Sequence, residues 1–134
     1  MEIQRRERTQ GGRRLLWNLA YGDAAAKEGR AILDDAQYTH VREQFELMAE
    51  FENPRSVQVL DVQPIDDFFE LRDKGGILRK LNLRVYFGIL EESRTIVVVG
   101  CYKKEEDSKL PVHVRLRMKN RLRIAKVKIG GGTS

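Results

Sequence analysis

Only one cysteine, Cys101, stands in the 134 residues. A lone thiol closes no internal disulfide and builds no zinc-type cluster, so a reducing cytoplasm is the natural compartment. No apolar run approaches the roughly 18 residues of a membrane span, and Met1–Arg8 lacks the apolar core of a secretory signal. The two histidines, His40 and His113, are far apart, and neither has a nearby Ser or Cys partner in sequence. There is no Gly-x-Ser-x-Gly and no dinucleotide fingerprint. Lys74-Gly75-Gly76 lacks the spacing and the Lys-Ser/Thr ending of a phosphate loop. Internal repeats, heptads and Pro-rich linkers are missing too. These absences argue against nucleophilic catalysis, metal or dinucleotide cofactors and membrane insertion, and leave a single soluble domain.

What is abundant is charge, unevenly spread. Residues 1–14 carry five Arg against two Glu, residues 15–102 ten basic against fifteen acidic, and residues 103–134 ten basic against three acidic. From Lys109 to Lys128 there is no acid at all. A basic end of this kind suggests contact with a polyanion, most simply nucleic acid, with a solvated basic helix as the plainer reading.

Residues 1–12, ending in Gly11-Gly12, read as a flexible basic arm, 13–128 as one domain, and 129–134 as a flexible Gly-rich tail. Over Arg13–Tyr21 the residues Leu15, Trp17, Leu19 and Tyr21 share one face, which predicts the first strand and makes Trp17 core. Asp23 before Ala24-Ala25-Ala26 predicts an Asx-type N-cap and a helix to Leu33. Asp34-Asp35 either breaks that helix or caps a second. The second helix follows from Tyr38, Val41, Phe45 and Met48, with His40 off the stripe and facing solvent. Asn53-Pro54 stops it. Phe68–Arg72 reads as a strand with Phe69 and Leu71 on one face and Glu70 and Arg72 on the other. At the C-terminal end Val114, Met118, Leu122, Ala125 and Ile129 predict a helix over 111–129. The alternation of Val112, Val114, Leu116 and Met118 leaves a strand open there.

The stretch Leu83–Asp107 organises the rest. Leu83, Val85, Phe87 and Ile89 form one face of a strand, with Arg84 and Tyr86 on the other. Glu91–Arg94 turns the chain, and the β-branched run Thr95–Val99 suits a buried strand. It continues into Cys101, Tyr102, Lys103 and Lys104, with Cys101 facing the core as an inert thiol. The element order β-α-α-β-β-β-α is that of an α+β domain in which a small antiparallel sheet packs against helices.

Arg-Val-aromatic-aromatic, a short acidic turn, an Ile-Val-Val strand and an aromatic followed by Lys-Lys together resemble the RelE/HigB-type toxins of bacterial toxin–antitoxin systems, in the RelE/ParE superfamily. The likeness covers residues 66–123, including Phe69-Glu70-Leu71-Arg72. It implies the RelE-like fold with the same order of elements. It implies a cytoplasmic endoribonuclease that needs no cofactor, cuts mRNA on the ribosome and is held inactive by a cognate antitoxin, commonly acidic.

Metal-free RNA cleavage asks for fixed cations and proton carriers, because the 2′-hydroxyl of the substrate is itself the nucleophile. Arg72, Arg84, Lys103 and Lys104 lie on or beside predicted strands and suit that task, although Lys103-Lys104 also suits the protection of a sheet edge. The resemblance makes Tyr102 the nearest match for an aromatic acid/base, with Tyr86 as a base-stacking alternative. The family's histidine at this point is replaced by Cys101 or displaced to His113. A tyrosine, with an unperturbed pKa near 10, needs strongly positive surroundings to act as a base. His113, Arg115, Arg117, Lys119 and Arg121 complete an expected RNA-binding set. Two other readings stay open: a ParE-like poison of DNA gyrase, and a basic nucleic-acid-binding module without toxicity.

Overall fold

In a computed structural model, residues 1–6, 9–10, 13–104 and 109–130 are described. The strands are β1 (Glu2–Gln4), β2 (Thr9–Gln10), β3 (Arg13–Arg14), β4 (Asn18–Tyr21), β5 (Asp61–Ile65), β6 (Phe68–Asp73), β7 (Leu83–Leu90) and β8 (Thr95–Lys103). The helices are α1 (Asp23–Ile32), α2 (Asp35–Ala49) and α3 (Val112–Gly130). Six strands form one sheet in the order β1-β4-β8-β7-β6-β5, and β2 pairs with β3 in a separate short ribbon. The class is α+β, as the residue pattern predicts. The sheet, however, is mixed, because β4 runs parallel to β8.

The β7–β8 hairpin lies at its centre. Val85, Phe87, Ile96, Val98 and Cys101 face α1 and α2, where Leu15, Trp17, Leu19, Phe45 and Met48 close the larger core. On the other face Phe68, Tyr86, Val97 and Val99 meet Val114, Met118, Leu122 and Ala125 of α3. The C-terminal segment is therefore a helix, and its buried stripe is the one its periodicity predicts. Gly88 and Gly100 let it lie close: a Cβ at either would run into Leu122 or Met118. Trp17 is core, its indole N–H donating to the carbonyl of Phe51 at 3.0 Å.

Some local expectations are corrected. Glu2–Gln4 is an edge strand on β4 rather than part of an arm. Positions 7–8 and 11–12 of that arm, and 131–134 of the tail, lie outside the described residues. The N-cap of α1 is Gly22, with Asp23 in the first turn. Asp34 caps α2 through a reciprocal bond pair with Gln37, which settles the ambiguity at Asp34-Asp35. Pro64 is tolerated because β5 is an edge strand.

A bulge decides the faces of β8. Tyr86 pairs with Gly100 and Phe87 with Val98, so Val99 is an extra residue. Upstream of it Ile96 and Val98 face α1–α2; downstream the alternation is inverted, sending Cys101 to that side and Tyr102 to the side of Arg84. Burial, with the Glu28 charge nearby, pushes the Cys101 thiol up to about 12, which keeps it protonated and inert. Because β4 pairs with Thr95–Val98, no strand among the described residues borders the far half of β8 on that side. Glu28 of α1 and Arg121 of α3 fill the place. Glu28 accepts from the Cys101 amide at 3.2 Å, and Arg121 donates to the Val99 carbonyl at 3.0 Å. The two side chains are joined by bonds of 2.8 and 3.0 Å.

Arg121→Ala should therefore destabilise the protein by about 1–3 kcal/mol in urea unfolding, because the Val99 carbonyl loses this donor and the Glu28 carboxylate keeps the Cys101 amide but loses its cation. Arg117→Ala, on an exposed position of the same helix, should stay within about 0.5 kcal/mol. Equal effects would remove the sealing role assigned to Arg121.

Candidate nucleic-acid interface

Alternation along β6 and β7 puts Glu70, Arg72, Arg84 and Tyr86 on the α3 side of the sheet. Pairing aligns them in two rungs, Glu70–Tyr86–Gly100 and Arg72–Arg84–Tyr102. Two arginines directly opposite each other repel. Glu70 lies one rung inward between them and offsets that repulsion. It accepts from Arg72 Nε at 2.6 Å, lies 3.6 Å from Arg84 Nε, and takes the Tyr86 hydroxyl at 2.9 Å on its other oxygen. Arg84 also donates to Asn82 Oδ1 at 2.6 Å and to the carbonyl of Leu83. The bond to Glu70 holds Arg72 more firmly cationic than a free guanidinium. Desolvation first, and the Glu70 charge second, drive the Tyr86 phenol far above its ordinary range.

This buried knot floors an open cleft of about 840 Å³. Among the described residues that line it are six cations, Arg72, Lys74, Arg84, Lys104, Lys109 and Arg115, against the carboxylates Asp61, Glu70 and Asp73. Since Glu70 is only 2% exposed and turned to its own donors, the accessible surface is more positive than that ratio. Arg115 brings the first turns of α3 to the rim, 3.9 Å from Asp66. Among the described residues no group of three or more His, Cys, Asp and Glu side chains is gathered as a metal site. Among the described residues no helix is long and apolar enough to cross a membrane.

Of the residues singled out from sequence, Arg72, Arg84, Lys104 and Arg115 meet in this cleft. Tyr102 stands on the rung of Arg84, half-buried against the α3-side core. Lys103 does not join them: paired with Leu83, it is turned to the other face. Tyr86 is fully buried, edge-on to Phe68 with ring centres 5.8 Å apart, so it offers no ring to a base. Arg121 is occupied by Glu28 and Val99. His113 and Arg117 are exposed on α3, and Lys119 lies 3.9 Å from Asp66.

Sequence reasoning missed Glu70, Asn82 and Lys109. Alternation already put Glu70 on the face of Arg72, but a carboxylate by itself does not suit a site that binds phosphate; its role comes from the arginines it holds. It also missed His40, which is bonded to Asp73 at 3.0 Å beside the cleft instead of simply facing water.

Glu70→Ala should cost about 3–5 kcal/mol of stability, because the buried Arg84 and the Tyr86 hydroxyl would both lose the carboxylate between them. Arg84→Met added to Glu70→Ala should recover part of that loss in denaturant unfolding. No recovery would mean that Glu70 acts through packing alone.

No family model matches the chain, and no curated protein matches it. Among solved structures, an arginine-to-alanine double mutant of the E. coli toxin RelE in the free state superposes with a TM-score of 0.55 at 16% identity, covering 81% of this chain and 98% of that one. The intact E. coli RelBE toxin–antitoxin complex gives 0.47 at 18% identity, with 66% and 96% covered. At such low identity the first of these likenesses is one of architecture: this chain has the RelE-type fold.

Proposed function

We propose that this chain is the toxin of a toxin–antitoxin pair and acts as a metal-independent endoribonuclease that cuts mRNA on the ribosome. The observation that carries this reading is the set Arg72, Arg84, Lys104 and Arg115 around one cleft, two of them fixed by Glu70 before any substrate arrives. The RelE-type fold and the residue pattern over 66–123 support it.

The chemistry fits such a site. A 2′-hydroxyl gives its proton to solvent and attacks the adjacent phosphorus, closing a 2′,3′-cyclic phosphate; the bond from phosphorus to the 5′-oxygen breaks, and that oxygen takes up a proton. Negative charge builds on the non-bridging oxygens between these events, and cations already in place need no reorganisation to meet it. Arg72, with its side chain 41% exposed, is the cation that reaches phosphate. Arg84 is nearly buried and contributes its field from below. Tyr102, on the rung of Arg84 but not itself among the lining residues of the cleft, is the group this reading assigns to return a proton to the leaving oxygen. Lys104, Lys109 and Arg115 track the strand. An antitoxin with an acidic segment over the cleft would hold the enzyme silent by occupying the same cations.

Arg72→Ala should lower turnover about a hundredfold with little change in substrate binding, since the contact strengthens as charge develops. Arg117→Ala should leave turnover alone and flatten the salt dependence of RNA association. The reverse pattern would exchange the two roles.

Induction in a bacterial host should arrest growth and create new mRNA 5′ ends within codons. Intact messages with trapped gyrase–DNA complexes would point instead to a gyrase poison, and absence of arrest to a plain binding module.

A further inference from the structure

Helix α3 carries two apolar stripes. One is buried on the sheet. The other, Val112, Leu116, Ile124 and Val127, recurs at steps of four, eight and three and so falls on the opposite side of the helix. These residues are 69%, 59%, 40% and 63% exposed. Seven cations and no acid share the helix. Lys119 and Lys126 lean toward Asp66 and Asp67 at 3.9 and 3.8 Å along one flank, and Arg117 and Lys128 follow the other. Between Leu116 and Ile124, Arg123 donates to Asn120 Oδ1 at 2.8 Å and interrupts the stripe with a polar pair.

We propose that the outward face of α3 docks an amphipathic helix of a partner protein, one whose apolar seam is flanked by Asp and Glu. The stripe calls for an apolar counterpart, the flanks call for carboxylates, and the Asn120–Arg123 pair gives a carboxylate something to bind in mid-seam. Other occupants fit less well. A phosphate backbone gains nothing from Val, Leu and Ile, and α3 has no Phe, Tyr or Trp on which a base could stack, its one ring being His113 in the first turn, far from Ile124 and Val127. A membrane surface would have to take Arg123 and Asn120 in the middle of the apolar stripe. A second copy would bring two all-basic helices together. Only Arg115 of α3 lines the cleft, so the apolar stripe is separate from it and does not rest on the ribonuclease reading, although the flanking Arg117 is shared with the RNA contact proposed above.

The test uses the full chain and a fluorescent synthetic helix with Leu at a and d and Glu at e and g. Its controls are a scrambled peptide of the same composition, a single-stranded oligouridylate and phosphatidylserine vesicles. The amphipathic peptide should bind at least about tenfold tighter than the scrambled one. The double variant Leu116→Ser/Val127→Ser should lose about that factor with an unchanged thermal midpoint, and Arg72→Ala should lose nothing. Should the midpoint fall, Val112→Ser/Leu116→Gln is the replacement pair and carries the same expectation. Equal binding of the scrambled peptide, or no binding of either, would overturn the proposal. So would a loss of oligouridylate or vesicle binding in the double variant with peptide binding intact, which would give the face to nucleic acid or lipid.

Discussion

The arrangement depends on one extra residue in a central strand. Val99 interrupts the β7–β8 ladder, and from that point every side chain of β8 changes face. A bulge leaves backbone groups unpaired, and burying them without partners costs about as much as a lost hydrogen bond each. Here Glu28 and Arg121, from helices on opposite faces of the sheet, meet over the open half of β8 and satisfy the Cys101 amide and the Val99 carbonyl. The pair thus seals the irregularity and ties α1 to α3. Without the bulge, Tyr102 would sit among the α1–α2 core and Lys103 on the side of Arg84.

The second constraint is electrostatic. Antiparallel pairing forces Arg72 and Arg84 into direct opposition, an arrangement that strands ordinarily avoid. Glu70 makes it tolerable and, in doing so, removes rotameric freedom from both arginines. Buried ion pairs of this kind are poor sources of net stability. Their value lies in fixing charged groups in one geometry, which is what a site that stabilises developing charge requires. Tyr86 contributes by donating to the Glu70 oxygen that Arg72 does not use, so the carboxylate is held through both oxygens.

Helix α3 shows how one element serves two surfaces. Its buried stripe needs small residues beneath it, which Gly88 and Gly100 supply. Its basic residues divide by position: Arg121 turns inward to the bulge, Arg115 reaches the cleft, and Arg117 stays in solvent. Counting cations along the helix would treat these three as equivalent. Their surroundings make one structural, one a cleft wall and one a free charge.

Much of this was legible in the sequence because it depends on local periodicity. The alternation of Leu83, Val85 and Phe87 against Arg84 and Tyr86 was enough to assign both faces of β7, and the spacing of Val114, Met118, Leu122 and Ala125 gave the buried side of α3. The same alternation brought Arg72 and Arg84 toward one face, and even held Glu70 there unnoticed. What periodicity cannot express is contact between distant segments. The parallel docking of β4 on β8, the edge strand at Glu2–Gln4, the bond of His40 to Asp73 and the meeting of Glu28 with Arg121 all join residues far apart in the chain. Nor does a run such as Val97-Val98-Val99-Gly100 announce a bulge, since β-branched residues suit either face of a buried strand. Local sequence determined which elements form and which side of each is apolar; the tertiary structure alone decided which charges are free, because that depends on what packs against them.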